Sequence, residues 1–186
     1  MGCRPEAPDG INCFALVTYL PSPLGPFLNA LRQELVPGCH LRSHVTVLPP
    51  RKLDSCSAGW TQLSQQTIDF EPFLIELDSI EVFPATSVIY VSIGRGREEL
   101  VRMHESLAQH NLAFCEPFQF HPHVTLAQGL LGDQVTEGVE LARRRWASFS
   151  GPREFMLDSM TFVQNTVTSD WVDLGELSLG AVGAAR

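Results

Sequence analysis

The chain has 186 residues and a mass of 20.6 kDa, with 44% hydrophobic and 18% charged residues, which is the composition of a globular domain and excludes a largely disordered chain. No run of apolar residues is long enough to span a membrane. Thirteen Lys and Arg against 21 Asp and Glu give a net charge of −8, which argues against a protein that binds long nucleic acid through its phosphates.

The first half of the chain predicts three strands that alternate with two helices. Apolar runs indicate the strands, apolar residues at helical spacing indicate the helices, and prolines mark the boundaries. The predicted elements are a loose leader at 1–10, a strand at 11–20, a helix at 24–35, a strand at 44–48 closed by Pro49-Pro50, a weak helix at 57–69 and a strand at 72–83.

From Ser87 the same order begins again. The predicted elements are a strand at 87–93, a helix at 98–107, a strand at 123–127, a helix near 133–147, strands near 153–164 and 170–178, and a tail at 179–186. Only two copies of the repeat are present, which favours two related lobes facing each other over a solenoid. The predicted fold class is α+β, with antiparallel or mixed sheets and outer helices, in one bilobal domain over residues 11–178.

The two copies share a short motif, His44-Val45-Thr46-Val47 in the first and His123-Val124-Thr125-Leu126 in the second. Successive strand residues point to opposite faces, so each histidine shares a face with the threonine two residues later, about 7 Å away along the strand. If the valines pack under the helices, both His/Thr pairs face away from them. Two lobes meeting face to face then line one cleft with two imidazoles and two hydroxyls.

This set of groups suits phosphodiester chemistry without a metal. One neutral imidazole takes a proton from an attacking water or hydroxyl, and the other, as imidazolium, protonates the departing ribose oxygen. The threonine hydroxyls donate to non-bridging phosphate oxygens. A single His-x-Thr in a strand is weak evidence for this chemistry, but two copies at equivalent places of a repeat are hard to attribute to accident.

The paired motifs, with the second inside Phe-His-Pro-His-Val-Thr-Leu-Ala at 120–127, resemble the two-histidine phosphoesterase superfamily. Within it the sequence is most similar to the bacterial RNA 2′,3′-cyclic phosphodiesterases, also called 2′-5′ RNA ligases, over roughly residues 12–178. The resemblance implies a bilobal fold and hydrolysis of a 2′,3′-cyclic phosphate, usually to a 2′-phosphate, without metal or cofactor. It assigns His44 and His123 as the acid/base pair, and Thr46 and Thr125 as phosphate donors.

One position departs from this family. Its second motif often continues to an arginine five residues after the histidine, and here that position is Gln128, which can donate a hydrogen bond but has no charge. Arg42, two residues before His44 and so expected on the same strand face, is a candidate replacement. Arg51 is a weaker candidate. The alternative interpretation for both is an exposed charge, and we favour it for Arg51.

The remaining histidines and Tyr19 have ordinary interpretations that we weigh against functional ones. His121 either binds substrate or caps the strand, His104 is predicted to be a packed core histidine, and His40 beside Cys39 has no second ligand pair for a metal. Tyr19 either stacks on a base or packs at the rim of the cleft.

The five cysteines form no Cys-x-x-Cys pair, and the first residues lack the apolar run of a secretory signal, so we expect reduced thiols and a cytoplasmic protein. The expected partner is a cyclic-phosphate nucleotide or an RNA terminus, with no long nucleic acid tract and no membrane. A monomer is the expected form, although the sequence has no signal for oligomeric state. A binding module with the same cleft but no turnover is the alternative function. A zinc hydrolase is a third, which the lack of a His-x-x-x-His cluster disfavours.

Overall fold

A computed structural model describes residues 6–180, which form antiparallel sheets and four α-helices. The predicted order of strands and helices is confirmed. The elements are β1 (Gly10–Tyr19), α1 (Leu24–Leu35), β2 (His44–Arg51), α2 (Cys56–Gln66), β3 (Phe73–Val82), β4 (Ile89–Ile93), α3 (Arg97–Leu107), β5 (His123–Ala127), α4 (Asp133–Ser148), β6 (Glu154–Leu157), β7 (Ser159–Thr166) and β8 (Trp171–Ser178).

The strands form two four-stranded sheets, with the order β2-β1-β7-β8 in the first and β5-β4-β3-β6 in the second. Every pairing is antiparallel, so the α+β class is confirmed and its sheets are not mixed. The second sheet comes from one continuous stretch of chain, residues 73–157. The first sheet joins residues 10–51 to residues 159–178, so both ends of the described chain meet in it.

The two strands with the His-x-Thr motifs occupy equivalent edges. β2 is an edge strand of the first sheet and β5 is an edge strand of the second, and the two strands contact each other. Each also pairs with the strand that opens its own repeat, because His44 lies opposite Tyr19 in β1 and His123 lies opposite Ser92 in β4. This topology brings two motifs that are 79 residues apart to the junction between the sheets.

Each helix that precedes a motif packs against the motif strand of the other repeat. Helix α1 contacts β5, and helix α3 contacts β2. The apolar residues of both motifs are fully buried in the main core: Val45, Val47, Val124 and Leu126. Burial of these side chains fixes which face of each strand is left for the histidines and threonines.

Two predicted boundaries were wrong. Pro49-Pro50 does not close β2, which continues to Arg51 opposite Phe14. Since β2 is an edge strand, a proline that lacks a backbone N–H is tolerated there. The single strand predicted near 153–164 is two strands separated at Asp158, and β6 pairs in the second sheet while β7 pairs in the first.

Other boundaries differ in detail. The weak helix predicted at 57–69 begins at Cys56, where Ser55 caps it by accepting the Ala58 N–H, and ends before a 3₁₀ turn at Thr67–Asp69. Residues 1–5 of the predicted leader and 181–186 of the predicted tail lie outside the described residues. The described end of the leader is not loose, because the Ala7 N–H donates to Gln164 Oε1 at 2.9 Å and Gly10 begins β1. Within the described part, Leu179 is buried and its N–H donates to the Asp158 carbonyl at 2.7 Å. None of the helices between residues 6 and 180 combines the length and hydropathy that a membrane span requires.

Candidate active site

The motif side chains follow the alternation that their strands impose. In β2, His44 and Thr46 are half-buried while the residues next to them are fully buried, and β5 repeats this pattern with His123 and Thr125. The polar side chains therefore lie on the face opposite the main core.

One cavity of about 730 Å³ opens beside these strands. Five of the six predicted site residues line it: His44, Thr46, Thr125, Arg42 and Gln128. The structure thus brings together one imidazole and one hydroxyl from the first motif with the hydroxyl of the second. This volume lies in the range of small-molecule binding sites in proteins.

The sixth residue, His123, adjoins the cavity through Thr125. Its Nε2 lies 3.1 Å from the Thr125 hydroxyl, and its ring packs edge-on against Phe83 and Tyr90, with ring centroids 5.0 and 5.3 Å away. The two histidines are also close enough to influence each other electrostatically, because a positive charge on His123 contributes to lowering the pKa of His44.

Each motif histidine is held by an equivalent hydrogen bond, from ring Nδ1 to the backbone carbonyl two residues earlier. His44 Nδ1 lies 2.7 Å from the Arg42 carbonyl, and His123 Nδ1 lies 2.6 Å from the His121 carbonyl. A carbonyl oxygen only accepts, so Nδ1 is the donor in each case and the neutral tautomer leaves Nε2 without a proton. In both motifs Nε2 is therefore the nitrogen that can take up or give away a proton.

Both imidazoles have a pKa below the ordinary value. Burial is the largest cause for His44, where the charges of Arg32, His123 and Arg42 lower the pKa further and the Arg42 carbonyl opposes them. Burial is also the largest cause for His123, where the charge of His121 adds to it and the His121 carbonyl opposes it. At neutral pH the neutral form is favoured at both positions, which provides a base.

Arg42 lies in the loop before β2, not on the strand as predicted, and it is already engaged at the rim. Its guanidinium carbon is 3.5 Å from the centre of the Tyr19 ring, and Nη1 is 3.4 Å from an Asp173 carboxylate oxygen. Tyr19 donates its hydroxyl proton to Asp173 at 2.6 Å, and burial together with this bond raises its pKa. Tyr19 thus packs at the rim, edge-on to His44.

Arg51 is neither a phosphate ligand nor an exposed charge, so both interpretations of it were wrong. Its side chain is buried, at 2% residue exposure, and Nη2 pairs with Glu116 at 2.7 Å while Nη1 donates to the Leu112 carbonyl at 2.6 Å. These bonds fasten the chain between α3 and β5 to the end of β2. The prediction that His104 is a packed core residue is confirmed, since it is buried with Nδ1 2.8 Å from the Val47 carbonyl.

Sequence reasoning missed Arg32 in α1. Arg32 is buried at 5% exposure, lines the cavity, and donates from Nη1 to the Thr125 carbonyl at 2.6 Å. The signal was present, because Arg32 follows Leu28 by four residues and precedes Leu35 by three, which places it on the apolar face of the helix.

A different wall of the cavity is apolar. Ala15, Val17 and Val163 form a small buried cluster on the cavity side of the first sheet, and Tyr19 and Trp171 pack against it. The cavity therefore joins an imidazole and hydroxyl end to an aliphatic and aromatic wall. No group of three His, Cys, Asp or Glu side chains within residues 6–180 is arranged to hold a metal ion.

Comparison with known proteins gives a consistent family. The sequence profile of the 2′-5′ RNA ligase superfamily matches residues 20–168. A Bacillus licheniformis protein named "Putative phosphoesterase" is 24% identical over 172 residues, which cover 90% of this chain and 99% of that protein.

Solved structures show the same fold at low identity. E. coli LigT complexed with 3′-AMP matches with a TM-score of 0.65 at 14% identity, covering 91% of this chain and 99% of LigT. LigT complexed with phosphate matches with a TM-score of 0.64 at 14% identity and coverage of 92% and 99%. Kluyveromyces marxianus Usb1 matches with a TM-score of 0.57 at 12% identity and coverage of 90% and 99%.

Proposed function

Because the chain belongs to the 2′-5′ RNA ligase superfamily, we propose that it is a metal-independent phosphoesterase that hydrolyses 2′,3′-cyclic phosphates on RNA ends or small nucleotides. The observation on which this proposal depends is that the two motif histidines make equivalent hydrogen bonds to the backbone. In each, a carbonyl two residues earlier binds Nδ1 and leaves Nε2 for proton transfer. We assign His44 and His123 as the acid/base pair, and Thr46, Thr125, Arg42 and Gln128 as groups that contact the substrate phosphate.

The proposed reaction needs both protonation states at once. The neutral histidine takes a proton from water at Nε2 as the water oxygen bonds to phosphorus. The protonated histidine gives its Nε2 proton to O3′ as the P–O3′ bond breaks, which leaves a 2′-phosphate and a free 3′-hydroxyl. Threonine hydroxyls donate to the non-bridging oxygens and hold phosphorus between the imidazoles. If a ribose 5′-hydroxyl attacks instead of water, the same groups catalyse ligation.

The cavity and the charge of the protein favour a small substrate. A volume of about 730 Å³ suits a nucleotide or the last residue of an RNA, and the net charge of −8 opposes a long polyanion. The apolar wall with Tyr19 and Trp171 offers a surface for a sugar or base. The LigT complexes with phosphate and with 3′-AMP, in which these molecules are ligands of that protein, agree with this substrate class.

The test is hydrolysis of the four 2′,3′-cyclic nucleotides by the wild type and by His44→Ala and His123→Ala. We expect each variant to lose at least about 100-fold in kcat, the lower range for removing one general acid or base. His110→Asn is the control, because His110 is exposed, lies outside the cavity and has a positive φ that asparagine tolerates. Phosphorus NMR identifies the product as a 2′- or 3′-phosphate.

The same assay separates the alternative functions. Activity that survives EDTA supports a metal-independent reaction, whereas activity lost to EDTA and restored by zinc indicates a zinc hydrolase. A wild type that binds 3′-AMP but opens none of the four cyclic nucleotides is a binding module. Full activity in His44→Ala or His123→Ala removes that histidine from the mechanism.

The cytoplasmic location is part of this proposal, and the free thiols of Cys13, Cys39 and Cys115 agree with it.

A further inference from the structure

The cavity contains a buried cation without a matching anion. Arg32 is 5% exposed, yet no ion pair links it to any carboxylate among residues 6–180. Its guanidinium contacts the Thr125 carbonyl, 2.6 Å from Nη1, and the Cys39 sulfur, 3.7 Å from Nη2. Its Nε is buried and has no hydrogen-bond partner in the described part of the chain.

Burying a guanidinium without a counter-charge costs free energy of folding. The guanidinium has five N–H donors in a planar fork, and its charge is penalised when it leaves water without a counter-charge. Arg51 shows how the same protein buries a guanidinium elsewhere, with a carboxylate at 2.7 Å and a carbonyl at 2.6 Å. Arg32 lacks the carboxylate and lines the cavity, so an anionic ligand in the cavity is the group that would compensate it.

We propose that Arg32 is a second cationic phosphate-binding residue of this cavity beside Arg42, and that it supplies from helix α1 the charge that Gln128 lacks. Arg32 is bound to the backbone of Thr125, whose hydroxyl also lines the cavity, so the guanidinium lies next to a proposed phosphate donor. The Arg32 charge also contributes to lowering the pKa of His44, which places its electrostatic influence within the first motif. The ligand class is a phosphate oxyanion, and its place in catalysis rests on the proposed function.

A purely structural role is the competing explanation. The bond to the Thr125 carbonyl joins α1 to β5, and losing it would loosen that contact whether or not an anion binds. The test therefore measures phosphate binding and folding separately. Inorganic phosphate is the probe, because its binding does not depend on turnover.

Arg32→Met and Arg32→Lys are compared with the wild type by calorimetric titration of inorganic phosphate and by circular dichroism. We expect Arg32→Met to weaken phosphate binding by about 10- to 100-fold, the range for hydrogen bonds to a charged group. Arg32→Lys keeps the charge but loses the planar guanidinium, so its phosphate affinity should lie between those of the wild type and Arg32→Met. Arg102→Met is the control, because Arg102 is an exposed arginine outside the cavity, and it should bind phosphate like the wild type.

A second measurement needs no variant that must fold without Arg32. In wild-type protein labelled with ¹⁵N-arginine, phosphate should shift the Arg32 Nε–H resonance, which is the buried group without a partner. Wild-type affinity in a folded Arg32→Met, or an unchanged Nε–H resonance at saturating phosphate, would overturn the assignment.

The outcomes keep the two proposals distinct. A wild type that binds phosphate through Arg32 but hydrolyses no cyclic nucleotide refutes the proposed function and supports the assignment of Arg32. A wild type that hydrolyses cyclic nucleotides, with unchanged kcat/KM and phosphate affinity in Arg32→Met, supports the function and refutes the role of Arg32.

Discussion

At the scale of single residues, the two motif histidines have the same Nδ1 contact but different surroundings. The charges of Arg32 and Arg42, and that of His123 when it is protonated, lower the pKa of His44, whose ring is edge-on to Tyr19. His123 is enclosed by Phe83 and Tyr90 and bonds to Thr125. Both surroundings disfavour the imidazolium, by burial first and then by like charge, so both histidines have a lowered pKa.

These pKa shifts predict an acidic optimum. A reaction that needs one neutral and one protonated histidine is fastest between the two pKa values, and both lie below the ordinary 6.5. The value of kcat/KM should therefore fall as pH rises from 6.5 to 8, because the protonated acid is lost, and its maximum should lie below pH 6.5. The measurement is kcat/KM against pH on one cyclic nucleotide, and a maximum above pH 7 contradicts the prediction.

Two of the residues that sequence reasoning placed wrongly or missed are buried arginines, Arg51 and Arg32. Arginine is mostly exposed in proteins, and nothing near Arg51 in the sequence indicates its partners, Leu112 and Glu116, which lie 61 and 65 residues away. The carbonyl that Arg32 binds, that of Thr125, is 93 residues away. A local pattern can show that a charged residue lies on an apolar face, but not which distant group receives it.

At the scale of helices and strands, local periodicity predicted the order well because burial repeats every two residues in a strand and every 3.6 in a helix. It could not predict which strands pair. The single strand predicted at 153–164 contains the change of sheet at Asp158, and Pro49-Pro50 is tolerated because β2 is an edge strand. For the candidate site, the repeated motifs predicted that each histidine shares a strand face with its threonine. They could not predict that α1 packs against β5 and α3 against β2, because those contacts depend on tertiary packing.

Helix α3 is preceded by a glycine, Gly96, that the fold requires at this position. Gly96 has a φ of +87°, and a Cβ there would lie 2.7 Å from the Leu74 carbonyl oxygen and 3.0 Å from Ile75 Cδ1. Gly96→Ala should lower the free energy of unfolding by about 1–2 kcal/mol, because alanine disfavours the left-handed conformation. The steric clash should lower it by about 1–3 kcal/mol more. The measurement is the free energy of unfolding in urea.

Gly38→Ala is the matched control for this variant. Gly38 has a φ of +85°, but a Cβ at this residue would have no heavy atom within 4 Å, so only the conformational cost applies. Equal losses of unfolding free energy in the two variants would show that the contact with β3 is unimportant.

At the scale of the whole molecule, buried polar bonds join segments that are distant in sequence. His104 in α3 binds the Val47 carbonyl in β2, and Arg32 in α1 binds the Thr125 carbonyl in β5. The ion pair of Arg51 and Glu116 adds a third connection between the two repeats. Each bond reaches from one repeat to the motif strand of the other, or to the segment that leads into it.

Removing the charge of Glu116 should therefore destabilise the protein as a whole. Glu116→Gln leaves the Arg51 guanidinium buried without a counter-charge, and we expect a loss of about 3 kcal/mol in the free energy of unfolding. The control is Glu34→Gln, which breaks the solvent-exposed pair of Glu34 with Arg145 and should cost about 1 kcal/mol or less. Similar small losses in both variants, measured in urea, would contradict the importance of the buried pair.

The position of β7 between β1 and β8 has a consequence for synthesis on the ribosome. Both histidine motifs have been translated by residue 126, but the neighbour that completes the hydrogen bonding of β1 arrives only with residues 159–166. A nascent or prematurely terminated chain thus contains every proposed proton-transfer group while one flank of its first strand is unpaired. Activity should therefore appear late in synthesis, once β7 and β8 have been translated and β7 has paired with β1.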